Sequence, residues 1–287
     1  MRADATARPT RPSRLPCYVA MDAMGATGFA DALFLLAAGL AAGTVNAVAG
    51  GGSLITFPAL VAVGLAPVPA NVTNSIAVSP GYLASVYGSR TDLGELAAVR
   101  GRRALLTLLP TAIVGTAIGC ALLLATPARA FELVVPFLVL AAAAILAFQD
   151  RLRALVAHPH AMSLRRRAVA LHTMVGVGAV YGGYFGAALG VILVAALGLV
   201  LDESLARVTA LKNAISAVVG LGTVVAFGVF GPVDWKAVAI LAPATMLGGY
   251  AGARLARRLP ARALRVVIVT VGTLVGLVLL ARALDPW

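Results

Sequence analysis

Between Asp31 and Arg90 the chain carries no charged side chain, and between Arg167 and Asp202 only His172 can titrate. A helix rises about 1.5 Å per residue and bilayer hydrocarbon is about 30 Å thick, so each run is too long for one crossing and must turn back on itself. Turning points are marked at Gly50-Gly51-Gly52 and Ala66-Pro67-Val68-Pro69 in the first run, and at Tyr181-Gly182-Gly183 in the second. Other uncharged stretches, Ala104–Ala128, Leu133–Gln149, Asn213–Val233 and Val266–Ala281, approach the roughly 20 apolar residues of a spanning helix. With 61% hydrophobic and 12% charged residues, the pattern predicts an all-α integral membrane protein. About ten apolar segments are expected, some of them half-helices.

The net charge of +12 does not point to nucleic acid, because the arginines sit in short stretches between apolar runs without interleaved aromatics. They cluster at Arg90–Arg103, Arg151–Arg167 and Arg254–Arg265, which the positive-inside rule places together in the cytoplasm as loops. The segment bearing Asp202, Glu203 and Arg207 is expected on the same side, with the turns near Thr126 and Pro232 opposite. Ten crossings put both termini outside, against Arg2, Arg8, Arg11 and Arg14. Residues 1–28 lack the apolar core of a secretory signal and read as a disordered tail, with Met21 and Met24 as alternative translation starts. The expected organisation is a first membrane repeat at 29–149, a basic cytoplasmic loop at 150–167 and a second repeat at 168–283. Cys17 and Cys120 have no metal-ligand spacing and His158-Pro-His160 lacks further ligands, so no metal or other cofactor is expected. No nucleophile with a base, metal cluster or nucleotide-binding motif marks an enzyme.

The two halves begin alike. Gly39, Gly43 and Gly50-Gly51-Gly52 lead through Gly64-Leu65 to Ala70-Asn71-Val72-Thr73; Gly176, Gly178, Gly182-Gly183 and Gly186 lead through Gly198-Leu199 to Ala206-Arg207-Val208-Thr209. With about five segments in each half, the second repeat inserts upside down relative to the first. Inverted repeats bring their helix breaks together near the bilayer midplane, where a solute has two exits.

The string from Gly43 through Asn46 and Gly50 to Pro58, followed by Pro67-Val-Pro-Ala70-Asn-Val-Thr73-Asn74, resembles the first-repeat signature of the TauE/SafE sulfite exporter family. Tyr181-Gly-Gly-Tyr184-Phe-Gly186, Ala210-Leu-Lys212-Asn213 and Gly231-Pro-Val-Asp234-Trp235 resemble its second repeat, and the likeness runs from about Leu33 to Leu280. The resemblance implies a secondary transporter exporting a small anion, sulfite or an organosulfonate, across the bacterial inner membrane. Uptake of another small organic anion and an anion channel are the alternatives.

An anion suits the local chemistry, since a broken helix presents unpaired N–H groups and glycine lets an oxyanion approach them closely. Gly50, Gly51, Gly52 and Ser53 are expected to form one such cradle and Gly182, Gly183 and Gly186 its counterpart, against the alternative of close helix packing. Asn46 shares a helical face with Gly50 and either donates to the solute or caps freed backbone. Thr73 and Asn74 are assigned to the pathway, and Asn71 to a helix cap. Lys212 is one of only two lysines in the chain. It shares a polar stripe with Thr209, Asn213 and Ser216, and is expected either to couple protons to the anion or to reach the cytoplasmic interface. Tyr181 joins the candidates as a phenol beside the second break; tyrosines also anchor at interfaces.

Overall fold

The computed structural model describes residues 28–48, 50–148, 150–151, 163–255 and 261–284. The tail, Cys17, Met21, Met24 and the His158/His160 pair lie outside them. Within the described residues the chain is helical without strands. In chain order the helices are α1 (Phe29–Val48), α2 (Ser53–Ala62), α3 (Pro67–Gly88), α4 (Arg90–Arg100), α5 (Arg102–Leu106) and α6 (Leu108–Ala125), then α7 (Ala128–Ala147), α8 (Leu164–Tyr184), α9 (Leu189–Val200), α10 (Leu205–Phe230), α11 (Trp235–Leu255) and α12 (Ala261–Leu284).

Five stretches are long and apolar enough to cross a bilayer: Phe29–Asn46, Arg102–Ala125, Ala128–Ala147, Leu205–Phe230 and Val266–Leu284. The apolar helices α2 and α9 are shorter, at 10 and 12 residues, which reaches only about half of the hydrocarbon thickness. Helix α3 is long enough but carries Asn71, Thr73, Asn74, Ser75 and Ser79 on buried positions. The stretch expected as a basic loop at Arg90–Arg103 is helical, forming α4 and the start of α5. Likewise α8 begins at Leu164 behind the N-cap Ser163, so Arg165, Arg166 and Arg167 occupy its first turn.

Helix α9 turns back along α8: a side chain on Gly182 would meet Leu189, and one on Gly178 would meet Leu193. Helix α2 turns back likewise, with Gly52 seated on the Ala42 carbonyl and beside Asn46 of α1. Each hairpin is flanked by a close helix pair. In α1 against α11, a Cβ on Gly43 would run into the Thr245 carbonyl and one on Gly248 into that of Leu40; in α6 against α8, Gly119 faces the Val180 carbonyl and Gly183 that of Thr116. Lipid tails give helices no hydrophobic reason to associate, so such small-residue contacts carry the packing.

Between these pairs lie α3 and α10, joined where Ser79 donates to the Gly220 carbonyl at 3.1 Å. Hydroxyls inside the helices donate to backbone one turn back, Ser75 to Asn71, Ser79 to Ser75 and Thr116 to Ala112, as a segment without water requires. Outward positions such as Ile113, Leu122, Val225 and Val229 are exposed and apolar, as lipid contact demands.

Candidate functional site

The first break spans Gly50–Gly52. Gly50 has φ 78°, and its N–H donates to the Val45 carbonyl at 3.2 Å. The second break lies a turn later than expected: α8 continues through Tyr181, Gly182 and Gly183 to Tyr184, and the chain opens over Phe185–Ala188. There Gly186 has φ 73° and its N–H donates to the Tyr181 carbonyl at 3.0 Å, the same five-residue closure as at Gly50. One register therefore pairs Gly50 with Gly186, Ser53 with Leu189, each the first residue of its returning helix, and Ala70, Val72 and Thr73 with Ala206, Val208 and Thr209.

The two hairpin tips touch. A Cβ on Gly190 would lie 3.2 Å from the Gly50 Cα and 3.5 Å from the Lys212 Cδ. The Lys212 stem thus passes the contact between the breaks, and the residue is 6% exposed. One turn further along α10 Ser216 is fully buried, and its hydroxyl has no protein partner. Beside the tips a cavity of about 20 Å³ is walled by Ser53, Ser75, Val78 and Tyr82 from the first half and Gly182, Phe185, Gly186, Leu189, Val219 and Thr223 from the second. That volume suits about one water-sized group.

The remaining candidates divide by what they touch. Gly51 faces the Leu146 side chain, while Gly52 and Gly183 are packing glycines against the carbonyls of Ala42 and Thr116. For Gly183 this contact is the one the packing alternative expects. Asn46 is half-buried in the last turn of α1. Thr73 is buried and accepts from the Asp234 N–H at 3.0 Å, fixing the turn before α11. Asn74 pairs with Thr56, tying α3 to α2. Asn71 does not cap its own helix, because it lies inside α3 and donates to the Tyr184 carbonyl at 2.9 Å, closing the end of α8. Its Oδ1 is buried without a protein partner. The Tyr181 hydroxyl donates to the Ala187 carbonyl across the second break at 2.6 Å. Thr209 is half-buried. Asn213 donates to the Ser85 carbonyl and to Ser89 Oγ at the end of α3, so it fastens helices together.

Sequence reading missed Ser75, Tyr82 and Thr223 at the cavity. A signal for two of them was present, because Asn71, Ser75, Ser79 and Tyr82 recur at helical spacing on one face of α3. Thr223 offered none.

An apolar chain with two helical hairpins meeting tip to tip beside a buried lysine has the architecture of a membrane transporter. The sulfite exporter TauE/SafE family model matches residues 35–279, and the chain belongs to that family. Curated relatives at low identity are described as probable membrane transporter proteins. A probable membrane transporter protein ORF9 of Sinorhizobium sp is 26% identical over 88% of this chain and 94% of the relative. The probable membrane transporter protein YfcA of Escherichia coli K12 is 27% identical over 86% and 88%, and a probable membrane transporter protein of Haemophilus influenzae is 28% identical over 77% and 83%. No solved structure matches the chain.

Proposed function

We propose that this transporter is a secondary carrier of the bacterial inner membrane that exports a small oxyanion, sulfite or an organosulfonate, held where the hairpin tips meet. The observation that carries the reading is the backbone contact of Gly50 with Gly190 beside the buried Lys212 stem. Side-chain-poor backbone allows close approach of an oxyanion, and a buried ammonium supplies the opposite charge. Two hairpins of one register, inserted from opposite faces as an inverted pair, would give this site an exit to each side by alternating access. Several facts support opposite insertion. The α8–α9 mouth carries Arg165–Arg167, and its loop is bound to α4 through Arg100 and Glu203 at 2.7 Å. The end of α2 instead lies beside the start of α7 and the end of α12. Loss of a proton from Lys212 as the anion leaves would couple export to the proton gradient.

The test is anion efflux from proteoliposomes loaded with sulfite or a short sulfonate, with and without an imposed pH gradient. Wild-type protein is expected to carry the anion and to respond to the gradient. Lys212→Met is expected to reduce flux at least about a hundredfold while eluting as wild type does in detergent, since removing a buried charge partner costs about 3–5 kcal/mol. Full flux by Lys212→Met would remove the lysine from the pathway. Absence of saturable anion flux from wild type would end the carrier reading.

A further inference from the structure

The four hydroxyls that line the central cavity are not equivalent, because two have their protons committed to backbone. Ser75 donates to the Asn71 carbonyl at 2.8 Å and Thr223 to the Gly220 carbonyl at 2.8 Å. A hydroxyl has a single proton, so these two turn only acceptor lone pairs toward a guest. The exceptions are Ser53, at the first position of α2, and Tyr82, which line the cavity together and donate to no carbonyl among the described residues. A proton so uncommitted can turn to a strong acceptor without leaving any backbone group orphaned.

The Tyr82 ring is held for such a task. It is 8% exposed and packs with Val78 and Ala217. A Cβ on Gly220 would stand 3.1 Å from its Cδ2, so the absence of a side chain there lets the ring slot between α3 and α10. The register that pairs the two halves sets Val218 opposite Tyr82 and Leu189 opposite Ser53. Both uncommitted hydroxyls belong to the first half, and the facing wall is apolar but for Thr223, whose proton is engaged by Gly220.

We propose that Tyr82 is a solute-contacting, specificity-determining residue whose phenol, lining with Ser53 the small cavity beside the hairpin tips, donates a hydrogen bond to an oxygen of the carried anion when alternating access opens that cavity. This rests on the anion-carrier reading and adds to it a residue outside the glycine motifs. A phenol donor and the positive end of α2 then address the anionic oxygens, while Val219 and Leu189 bound the other side of the guest.

The experiment measures concentration-dependent sulfite and short-chain sulfonate flux in proteoliposomes for wild type, Tyr82→Phe and Ser53→Ala. Phenylalanine keeps the ring between α3 and α10 and removes only the donor. Tyr82→Phe is expected to raise KM about tenfold with the maximal rate within about twofold, the loss of one hydrogen bond to a charged group. Ser53→Ala is expected to shift KM in the same direction by a smaller factor. Tyr87→Phe, on the exposed end of α3, should leave both parameters unchanged. A purely structural role would lower thermal stability or maximal rate without moving KM, and that result overturns the proposal. So does a Tyr82→Phe KM equal to wild type in protein that carries sulfite. Wild-type protein that neither carries nor binds any tested anion overturns the carrier reading, and this proposal with it.

Discussion

The two hairpins share a closure but not a chemistry. In each, a left-handed glycine donates to the carbonyl five residues earlier and a half-length apolar helix runs back. The first hairpin turns with Gly50-Gly51-Gly52 alone. The second places Ala188 at φ 57°, in a region costly for a side chain, and is held by Tyr181 on Ala187 and Asn71 on Tyr184. Their surroundings differ more. Past the end of α2, Gly64, Leu65, Arg129, Glu132 and Arg282 line a cavity of about 330 Å³. Past the end of α9, α4 packs against α10, with Leu96 fully buried in the cluster that also holds Leu197, Leu201 and Val208. Its Arg100 grips Glu203 at 2.7 Å, and Arg207 joins Glu203 and Glu95 at 3.1 Å each. Helices α4 and α5 have no counterpart between α10 and α11, which are joined through Gly231–Asp234. The shared closure thus ends in two unlike surroundings, and α4, ion-paired to Glu203 and Arg207, marks the second.

The sharpest way to break the comparison is at the shared glycines. Gly50→Ala puts a side chain at φ 78° and 3.3 Å from Gly190, so it should destabilise by about 1–2 kcal/mol or more and abolish transport. Gly51→Ala meets only the movable end of Leu146 at 3.2 Å and should cost below about 1 kcal/mol. Thermal unfolding of the two variants side by side checks this, and equal losses would mean that backbone conformation is not what the motif protects.

A smaller effect tests what is peculiar to the second hairpin. Tyr181→Phe removes the bond to Ala187, which has no equivalent at the first break, and should cost about 1 kcal/mol. Faster amide exchange is expected at Phe185–Ala188 and not at Gly50–Gly52. Exchange that rises equally at both breaks would show the tips to be one cooperative unit.

The smallest effect concerns the ion pairs of Glu203. Burial pushes the Glu203 carboxyl up, but hydrogen bonds and charge from Arg100 and Arg207 outweigh it and hold it below its ordinary value. A carboxylate lowered by folding contributes stability above its unfolded value and loses it as pH falls through the folded one. These pairs are therefore intact at neutral pH and weaken only below 4.5. Glu203→Gln should cost less than about 1 kcal/mol at neutral pH, and the gap to wild type in thermal unfolding should close as pH falls below 4.5. A gap that stays constant on acidification would exclude charge as the source.

The membrane class, the break at Gly50 and the buried setting of Lys212 were legible because each violates the composition around it: glycines and one lysine inside apolar runs. The site itself was less so. Gly182 and Gly183 mark the second break in sequence, yet the helix runs through them, with Gly183 against the Thr116 carbonyl, and the turn falls at Gly186. The sequence did not show that Thr73, Asn74 and Asn213 also bond across to other helices and turns, since one polar side chain in an apolar helix suits a solute or a neighbouring backbone equally well.

The sequence alone therefore decided the solvent of this protein, because charge-free runs of such length have no aqueous fold, and it decided where the backbone must bend. Which polar groups remain for a solute was decided only by tertiary contact. Hydrogen bonds saturate, and whether a hydroxyl or amide is already engaged depends on partners such as Tyr184 and Asn71, or Ser79 and Gly220, that lie far apart in the chain.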